Sequence, residues 1–222
     1  MASEDEVQEL ANLSLRDLVT ILHSQEASKR TAAAIALAAY GDDTVNELLA
    51  QLIIERCLYT KIAICETLQC GNKETAITMT RYLGEIGNNQ HQTLPKSVSA
   101  KKSYPLPRDI IARTLAKMDT HIFPVLCAVL ETKEKKKIRE VLDAIGFMTL
   151  YHQDLATQHN AEKIISVIDT YQEDAVIVWK AIMCLSAFPL PDCMQILQTY
   201  AKRKDICGEE ARRSLMIIQS RV

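Results

Sequence analysis

The stretch Lys29–Asp42, which reads KRTAAAIALAAYGD, carries the pattern that decides the fold. In it the apolar residue Ala33 precedes Leu37 by four positions, and the apolar residue Tyr40 follows three positions later, before Gly41 breaks the pattern. Copies of this pattern recur along the chain, each centred on one leucine: Leu37, Leu68, Leu115, Leu142, Leu185 and Leu215. The separations between these leucines are 31, 47, 27, 43 and 30 residues, so the sequence is a repeat of about 30 residues with two insertions.

Each copy predicts an α-helix, because the positions −4, 0 and +3 around the leucine share one side of a helix with 3.6 residues per turn. A second amphipathic segment precedes every copy, so each repeat is predicted to be a helical hairpin. One hairpin cannot bury its own apolar faces, whereas stacked hairpins can. We therefore predict an all-α fold, an α-solenoid of about six hairpins that forms one domain over residues 1–222. Its predicted repeats span residues 14–42, 43–72, 73–119 with an insertion at 85–107, 120–150, 155–189 and 190–222.

Composition argues against several other classes of protein. Hydrophobic residues make up 48% of the 222 residues and aromatic residues only 5%, with six glycines and six prolines, which argues against disorder and against an all-β fold. The apolar stretch at residues 31–40 is too short to cross a bilayer, and the acidic residues after Met1 do not form a signal peptide. The seven cysteines include no C-x-x-C pair, so we expect buried free thiols, a reducing cytoplasmic location and no bound metal.

The segment Lys29–Asp42 resembles the second helix of a HEAT-like repeat of the PBS-lyase type. That family places a basic residue before an alanine-rich helix that ends in A-L-x-x-hydrophobic-G-D, and residues 36–42 read ALAAYGD. The basic residue is lost at Val178 and Gly208 and kept in four copies, as Arg30, Lys61, Arg108 and Lys135. The resemblance implies a right-handed α-solenoid. It implies no single function, because HEAT-like repeats occur in scaffolds, in proteins resembling phycobilin lyases and in DNA alkylpurine glycosylases.

The residue two positions before each central leucine points away from it, so these positions are predicted to form the solvent-facing surface of the second helices. They are Ile35, Glu66, Arg113, Glu140, Met183 and Arg213. On a concave face lined by second helices, the alternating charges of Glu66, Arg113 and Glu140 either pair between neighbouring repeats or form a recognition surface.

The segment Asp174–Leu185 is apolar nearly all round, which indicates burial on more than one side. Its Trp179 and Met183 are four residues apart and fall on the outward face. An exposed apolar patch of this kind usually marks a contact, and three covers are open: the insertion, a protein partner, or a second copy. The candidate partner-binding residues are therefore Glu66, Arg113, Glu140, Trp179, Lys180, Met183 and Arg213.

Residues 85–107 break the helical pattern with glycines, asparagines and prolines, and they carry lysines without an acidic residue after Glu85. A loop this long in a repeat array is either functional or a tolerated surface insertion. This insertion and the basic run at residues 133–139 offer contacts to an anionic partner, unless nearby glutamates screen them. The candidate anion-binding residues are Lys101, Lys102, Arg108, Lys135, Lys136 and Arg139.

The sequence contains no motif for catalysis or for a cofactor: G-x-x-x-x-G-K-[ST], G-x-G-x-x-G, G-x-S-x-G and H-E-x-x-H are missing, and the five histidines are scattered. We therefore predict a non-catalytic scaffold without a cofactor that binds a protein or peptide on its concave face, as a monomer or a homodimer through the fifth repeat. The alternative is a nucleic-acid-binding HEAT-like protein or DNA glycosylase-like enzyme that uses the insertion and the Lys133–Arg139 cluster, which the net charge of −2 disfavours.

Overall fold

The computed structural model describes residues 2–101 and 103–221, and over these residues it contains helices, turns and loops but no β-strand. The described residues divide into two compact units. Unit 1 comprises residues 2–82 and 117–122, and unit 2 comprises residues 83–116 and 123–221. The all-α prediction is therefore confirmed, whereas the single domain over residues 1–222 and its right-handed superhelix stay predictions.

Unit 1 is built around its third helix. Its α-helices are α1 (Glu4–Leu10), α2 (Leu15–Leu22), α3 (Ala27–Ala36), α4 (Val45–Ile54), α5 (Leu58–Gln69) and α6 (Lys73–Thr80). Helix α3 packs on α1, α2 and α5, and its buried residues 32–34 are all alanine, which lets the neighbouring helices approach closely. A 3-10 segment, Leu37–Thr44, follows α3. Within it Gly41 has φ 54°, a left-handed conformation that favours glycine and that turns the chain into α4.

Unit 2 is built around its fifth helix. Its α-helices are α7 (Ile110–Leu115), α8 (Phe123–Leu130), α9 (Lys135–Tyr151), α10 (Gln158–Thr170), α11 (Ala175–Leu185), α12 (Pro191–Tyr200) and α13 (Ile206–Gln219). Helix α11 packs on α9, α10 and α13, and its residues 176–185 are all buried. This central position confirms that the segment is buried on more than one side.

Within each unit the second helices of successive hairpins pack side by side: α3 on α5 in unit 1, and α7 on α9, α9 on α11 and α11 on α13 in unit 2. The central leucines are the reason for this packing, because five of them are at most 1% exposed. Leu215, in the last copy, is half-buried. This stacking of hairpins is the arrangement of an α-solenoid, as the leucine repeat predicted.

Candidate functional site

The outward positions of the second helices differ between the two units. In unit 1, Ile35 is 40% exposed and Glu66 is also exposed. In unit 2, Glu140, Met183 and Arg213 are 2%, 5% and 4% exposed. The prediction that these positions face solvent is therefore wrong for Glu140, Met183 and Arg213, because neighbouring helices and the insertion cover them, while the fourth position of unit 2, Arg113, is half-buried.

Tyr104 anchors the insertion on α9. Its side chain is 2% exposed, and it lies against Gly146, where a Cβ atom would overlap Tyr104 Oη. The hydroxyl group donates to Leu142 O at 3.5 Å, and burial raises the pKa of Tyr104 well above its ordinary value of 10.0. Glycine at position 146 is thus required by the close approach of the tyrosine.

Arg213 on α13 holds the backbone of the insertion. Its Nη2 donates to Ser103 O at 2.8 Å and to Lys101 O at 3.0 Å, and its Nη1 donates to Glu210 Oε1 at 2.7 Å. These bonds satisfy most of the donors of a buried guanidinium group. The predicted partner-binding residue Arg213 therefore binds carbonyl groups of the chain's own loop, in the way that it would bind those of an extended peptide.

Asp109 ties the two ends of the insertion together. Its Oδ2 accepts hydrogen bonds from Gly84 N at 3.1 Å and from Gln90 Nε2 at 2.8 Å, and its Oδ1 caps α7 by accepting from Ala112 N at 2.8 Å. Burial nevertheless raises the pKa of Asp109, because desolvation outweighs these bonds. The insertion is thus a closed loop with a fixed base.

Trp179 on α11 contacts His91 of the insertion, with ring centroids 5.0 Å apart and ring planes at 81°. Of the three covers considered for Trp179 and Met183, the structure shows the insertion: both are 5% exposed and line a cavity together with insertion residues. Burial lowers the pKa of His91 to about 4, so its imidazole is neutral at pH 7. A partner or homodimer contact through the fifth repeat stays a prediction, and at Trp179 it requires the insertion to move.

Lys180 forms buried ion pairs with two carboxylates of α9. Its Nζ lies 2.9 Å from Glu140 Oε2 and 3.0 Å from Asp143 Oδ2, and its side chain is 0% exposed. Desolvation raises the pKa of Glu140 from its ordinary 4.5 to about 7, and it raises the pKa of Asp143 as well. Burial acts to lower the pKa of Lys180, but the two carboxylates more than offset it, so that this pKa is raised.

These pairs replace the predicted charge ladder of the second helices. Glu140 pairs with Lys180, while Arg113 donates its Nε to Pro107 O at 2.8 Å and Glu66 is exposed. The sequence held a signal for the Lys180 pairs that we did not use. A lone lysine in an apolar helix needs a buried carboxylate, and Glu140 and Asp143 lie three residues apart on α9.

We expect the Glu140→Gln variant to change how stability depends on pH. Because the pKa of Glu140 is raised in the folded state, the wild type loses stability as the pH rises from 4.5 to about 7. The variant lacks this titration, so the free energy of unfolding of the wild type relative to the variant falls by up to about 3 kcal/mol across that window. Groups such as His91 titrate in both proteins and cancel in the difference. Urea unfolding of both proteins at several pH values measures it, and parallel profiles contradict the assignment.

The basic run at residues 133–139 is largely neutralised within unit 2. Arg139 Nη2 lies 2.8 Å and Lys135 Nζ 3.7 Å from Asp174 Oδ2, and Lys136 Nζ lies 2.9 Å from Glu85 Oε1. The hydrogen bond from Arg139 and the nearby positive charges outweigh desolvation and lower the pKa of Asp174. These contacts favour the interpretation that nearby acidic residues screen the charges of the run, rather than the interpretation that the run binds an anionic partner.

The other candidate anion-binding residues lie in the insertion. Lys101 is exposed, and so is Arg108, whose Nη1 lies 3.3 Å from His91 Nε2. Lys102 lies outside the described residues. Arg108 lines the cavity that also contains Asp143 and Glu210, whereas Lys101 lies outside it, so the two described cations do not form one anion site.

The described residues include no group of three or more His, Cys, Asp or Glu side chains that could hold a metal ion. All seven cysteines are free thiols. Burial raises the pKa of the four buried thiols of unit 2, Cys127, Cys184, Cys193 and Cys207, which disfavours the nucleophilic thiolate. Over the same residues, no helix combines the length and the apolar character needed to cross a membrane.

Unit 1 presents an apolar surface that the sequence analysis missed. On α5, Leu58 is 65%, Tyr59 51% and Ile62 42% exposed. Leu58 and Tyr59 each lie about one helical turn before Ile62, so all three side chains fall on one side of the helix. Ile53 and Ile54, at the end of α4, are exposed as well. The sequence indicated this surface through the adjacent apolar pairs at 53–54 and 58–59. A helix of a hairpin buries only one side, so an apolar residue beside another one can remain exposed. We call Ile35, Leu58, Tyr59, Ile62 and Glu66 the open face.

Glu55 fixes the connection from which α5 begins. Its two carboxylate oxygens accept from Arg30 Nε and Nη2 at 2.8 Å each, and Gln51 Nε2 donates to Oε2 at 2.8 Å. Two backbone N–H groups of the turn donate to Oε1 as well. The Arg30 hydrogen bonds lower the pKa of Glu55 to about 2, so it is a carboxylate at all physiological pH values. Five hydrogen bonds to the Glu55 carboxylate therefore fix the turn between α4 and α5, where the open face begins.

Comparison with known proteins gives matches among solved structures only, since no protein-family model and no curated protein matches the chain. Two crystal structures of engineered proteins are 15% and 16% identical to it, with TM-scores of 0.44 and 0.43. The matches cover 98% of this chain and 98% of the first protein, and 94% of this chain and 99% of the second. A designed armadillo repeat protein is 12% identical, with a TM-score of 0.40, over 92% of this chain and 100% of its own.

Proposed function

We propose that this chain is a non-catalytic helical-repeat scaffold that binds a protein partner through the open face of unit 1. The observation that carries the proposal is the cluster of large apolar side chains on α5, which are 42–65% exposed. Soluble proteins rarely expose such clusters unless they form a contact. The face belongs to the second helices, which are also the helices that hold the insertion in unit 2.

Unit 2 supports this proposal because its second helices already bind residues of the insertion. Arg213 donates hydrogen bonds to the backbone carbonyl groups of Lys101 and Ser103, and the ring of Tyr104 packs against Gly146. A face of this kind is therefore able to hold extended chain by carbonyl contacts and one buried aromatic ring. In unit 1 the equivalent outward positions, Ile35 and Glu66, are exposed.

The chemistry of the open face defines the partner. Leu58, Tyr59 and Ile62 form an apolar stripe along α5, and Glu66 continues this stripe one turn later with a negative charge. The partner segment is therefore amphipathic, with apolar side chains on one side and a basic residue at the end that meets Glu66.

We expect a Leu58→Glu, Ile62→Glu double variant to lose its partners. Charged side chains in the centre of an apolar contact remove the burial that stabilises it, so the amount of captured protein falls about tenfold or more. Quantitative affinity capture of the wild type and the variant measures this. Met216→Glu is the matched control, because Met216 is 61% exposed on α13 in unit 2 and lies outside the open face.

Two results contradict the proposal. One is capture of the same proteins in the same amounts by the wild type and the double variant. The other is a concentration-dependent dimer of the wild type, seen by sedimentation, that Ile62→Glu converts to a monomer, since a second copy then covers the face.

A further inference from the structure

A cavity of 260 Å³ lies in unit 2 between the insertion and helices α9, α11 and α13. Its wall is apolar on the side of Pro105, Leu106 and Met183 and acidic on the side of Asp143 and Glu210. The volume is just below the range of about 300–1,000 Å³ that holds drug-sized ligands, so it suits a small head group on a short stem.

Two carboxylates of the cavity are only half satisfied. Asp143 Oδ2 pairs with Lys180 at 3.0 Å, and Glu210 Oε1 pairs with Arg213 at 2.7 Å. The other oxygens, Asp143 Oδ1 and Glu210 Oε2, have no hydrogen-bond partner among the described residues, although the two side chains are 4% and 1% exposed. Trp179 Nε1 has no hydrogen-bond partner among these residues either, and its N–H lies close enough to Glu210 to lower the pKa of that carboxyl group without meeting hydrogen-bond geometry. Buried oxygens of this kind require a donor.

The charges around the cavity show which donor is missing. Asp143 and Glu210 line the cavity, and two further buried acids, Asp109 at the start of α7 and Glu140 on α9, lie close enough to Asp143 to raise its pKa or have theirs raised by it. Among the described residues, two bases are buried in unit 2, Lys180 on α11 and Arg213 on α13. Arg108 at the cavity is exposed, and the nearby imidazole of His91 is neutral at pH 7. Desolvation on burial raises the pKa of all four carboxyl groups, which means that the charged form of each is disfavoured here relative to water.

We propose that this cavity binds a cationic head group, an ammonium or a guanidinium, carried on a short aliphatic stem. Asp143 Oδ1 and Glu210 Oε2 accept the hydrogen bonds of the head group, and Trp179, Met183 and Leu106 pack against the stem. An anion is excluded by the same two oxygens, which would repel it. The source is either a free alkylamine or alkylguanidine, or the side chain of a lysine or arginine in a partner peptide.

The single tryptophan of the chain lines the cavity, so its fluorescence reports binding directly. The full chain is titrated with n-butylamine, with n-butylguanidinium, and with a glycine–serine peptide that contains one arginine. We expect a saturable change in fluorescence with these cations and none with the same peptide in which citrulline replaces arginine. Saturation by the peptide alone assigns the site to a basic side chain of a partner, and equal saturation by the small cations assigns it to a free amine or guanidine.

Two variants test the acceptors. Asp143→Asn and Glu210→Gln each keep the shape of the side chain and remove the negative charge, so we expect each to weaken binding of the cation about tenfold or more. Glu173→Gln is the matched control, because Glu173 is an exposed acid of unit 2. Unchanged affinity in both folded variants overturns the proposal.

A measurement on the wild type keeps the test independent of whether the variants fold. A cation favours the ionised carboxylates, and burial raises the pKa of Asp143 and Glu210, so the affinity rises as the pH rises and these groups lose their protons. A flat titration, as given by a cavity that holds water only, overturns the proposal. So does equal binding of the citrulline peptide or an affinity that is independent of pH.

Discussion

Replacing Lys180 by alanine is expected to lower the free energy of unfolding by about 3–5 kcal/mol. The ammonium group is fully buried between Glu140 and Asp143, at 2.9 and 3.0 Å, so its removal leaves two buried carboxylates without their cation. Because protonation relieves that charge, the loss is larger at high pH than at low pH. Urea unfolding of both proteins on either side of neutrality measures both effects.

A matched lysine separates this effect from the loss of any surface charge. Lys163 pairs with Glu131 at 3.0 Å on the surface of unit 2, and Lys163→Ala is expected to cost less than about 1 kcal/mol. Adding Glu140→Gln to Lys180→Ala recovers part of the lost stability, because one of the two stranded charges is removed. Equal costs for the two lysines are inconsistent with a buried ion pair at Lys180.

The second large effect is expected for Tyr104→Ala. The side chain is 2% exposed against α9, so its removal costs about 3–5 kcal/mol of the interactions that hold the insertion. Release of the insertion exposes Trp179, whose emission shifts to longer wavelength, and opens residues 85–107 to limited proteolysis. Fluorescence, urea unfolding and mapping of the first cleavage site measure the three consequences.

Tyr151→Ala is the control for this variant. Tyr151 is 58% exposed at the end of α9 and contacts the ring of Phe147, at 4.7 Å between ring centroids, so its removal is expected to cost at most about 1 kcal/mol. It leaves the emission of Trp179 and the cleavage pattern unchanged. If residues 85–107 of Tyr104→Ala resist proteolysis as well as those of the wild type, the result contradicts a docked insertion.

The sequence was sufficient for the fold because the decisive signal is local. A leucine with apolar residues four before and three after it marks one side of a helix, and this pattern occurs five times in full and once, at Leu68, in a copy shortened by one residue. Gly41 ends one such segment at φ 54°, where glycine is favoured. Leu215 shows the limit of the pattern, because it is half-buried although the same pattern surrounds it.

The candidate site was only partly predictable, because it depends on contacts between distant residues. Arg213 binds Lys101 and Ser103, more than 100 positions earlier, and no periodicity encodes that contact. The same loop covers Trp179, which is 5% exposed. Sequence alone predicted the face and the residues on it, but it left open whether partner, copy or insertion lies there.

The open face was missed for a different reason. Leu58, Tyr59 and Ile62 precede the leucine by six to ten positions, outside the window that defined the repeat. They belong to the part of α5 next to the turn, which Glu55 and Arg30 hold through two hydrogen bonds of 2.8 Å. These exposed apolar residues lie near the start of α5, whereas the repeat pattern describes the part of the helix around Leu68.

The measurement that tests the central claim most directly is the stability of Gly146→Ala. Without a neighbour at this helical position, alanine in place of glycine stabilises a protein by about 1 kcal/mol. With Tyr104 docked, the new Cβ overlaps its hydroxyl group, so we predict a loss of about 1–3 kcal/mol in the wild-type background and a gain when Tyr104→Ala is also present. Stabilisation by Gly146→Ala in both backgrounds would contradict the claim that the insertion closes the second-helix face of unit 2.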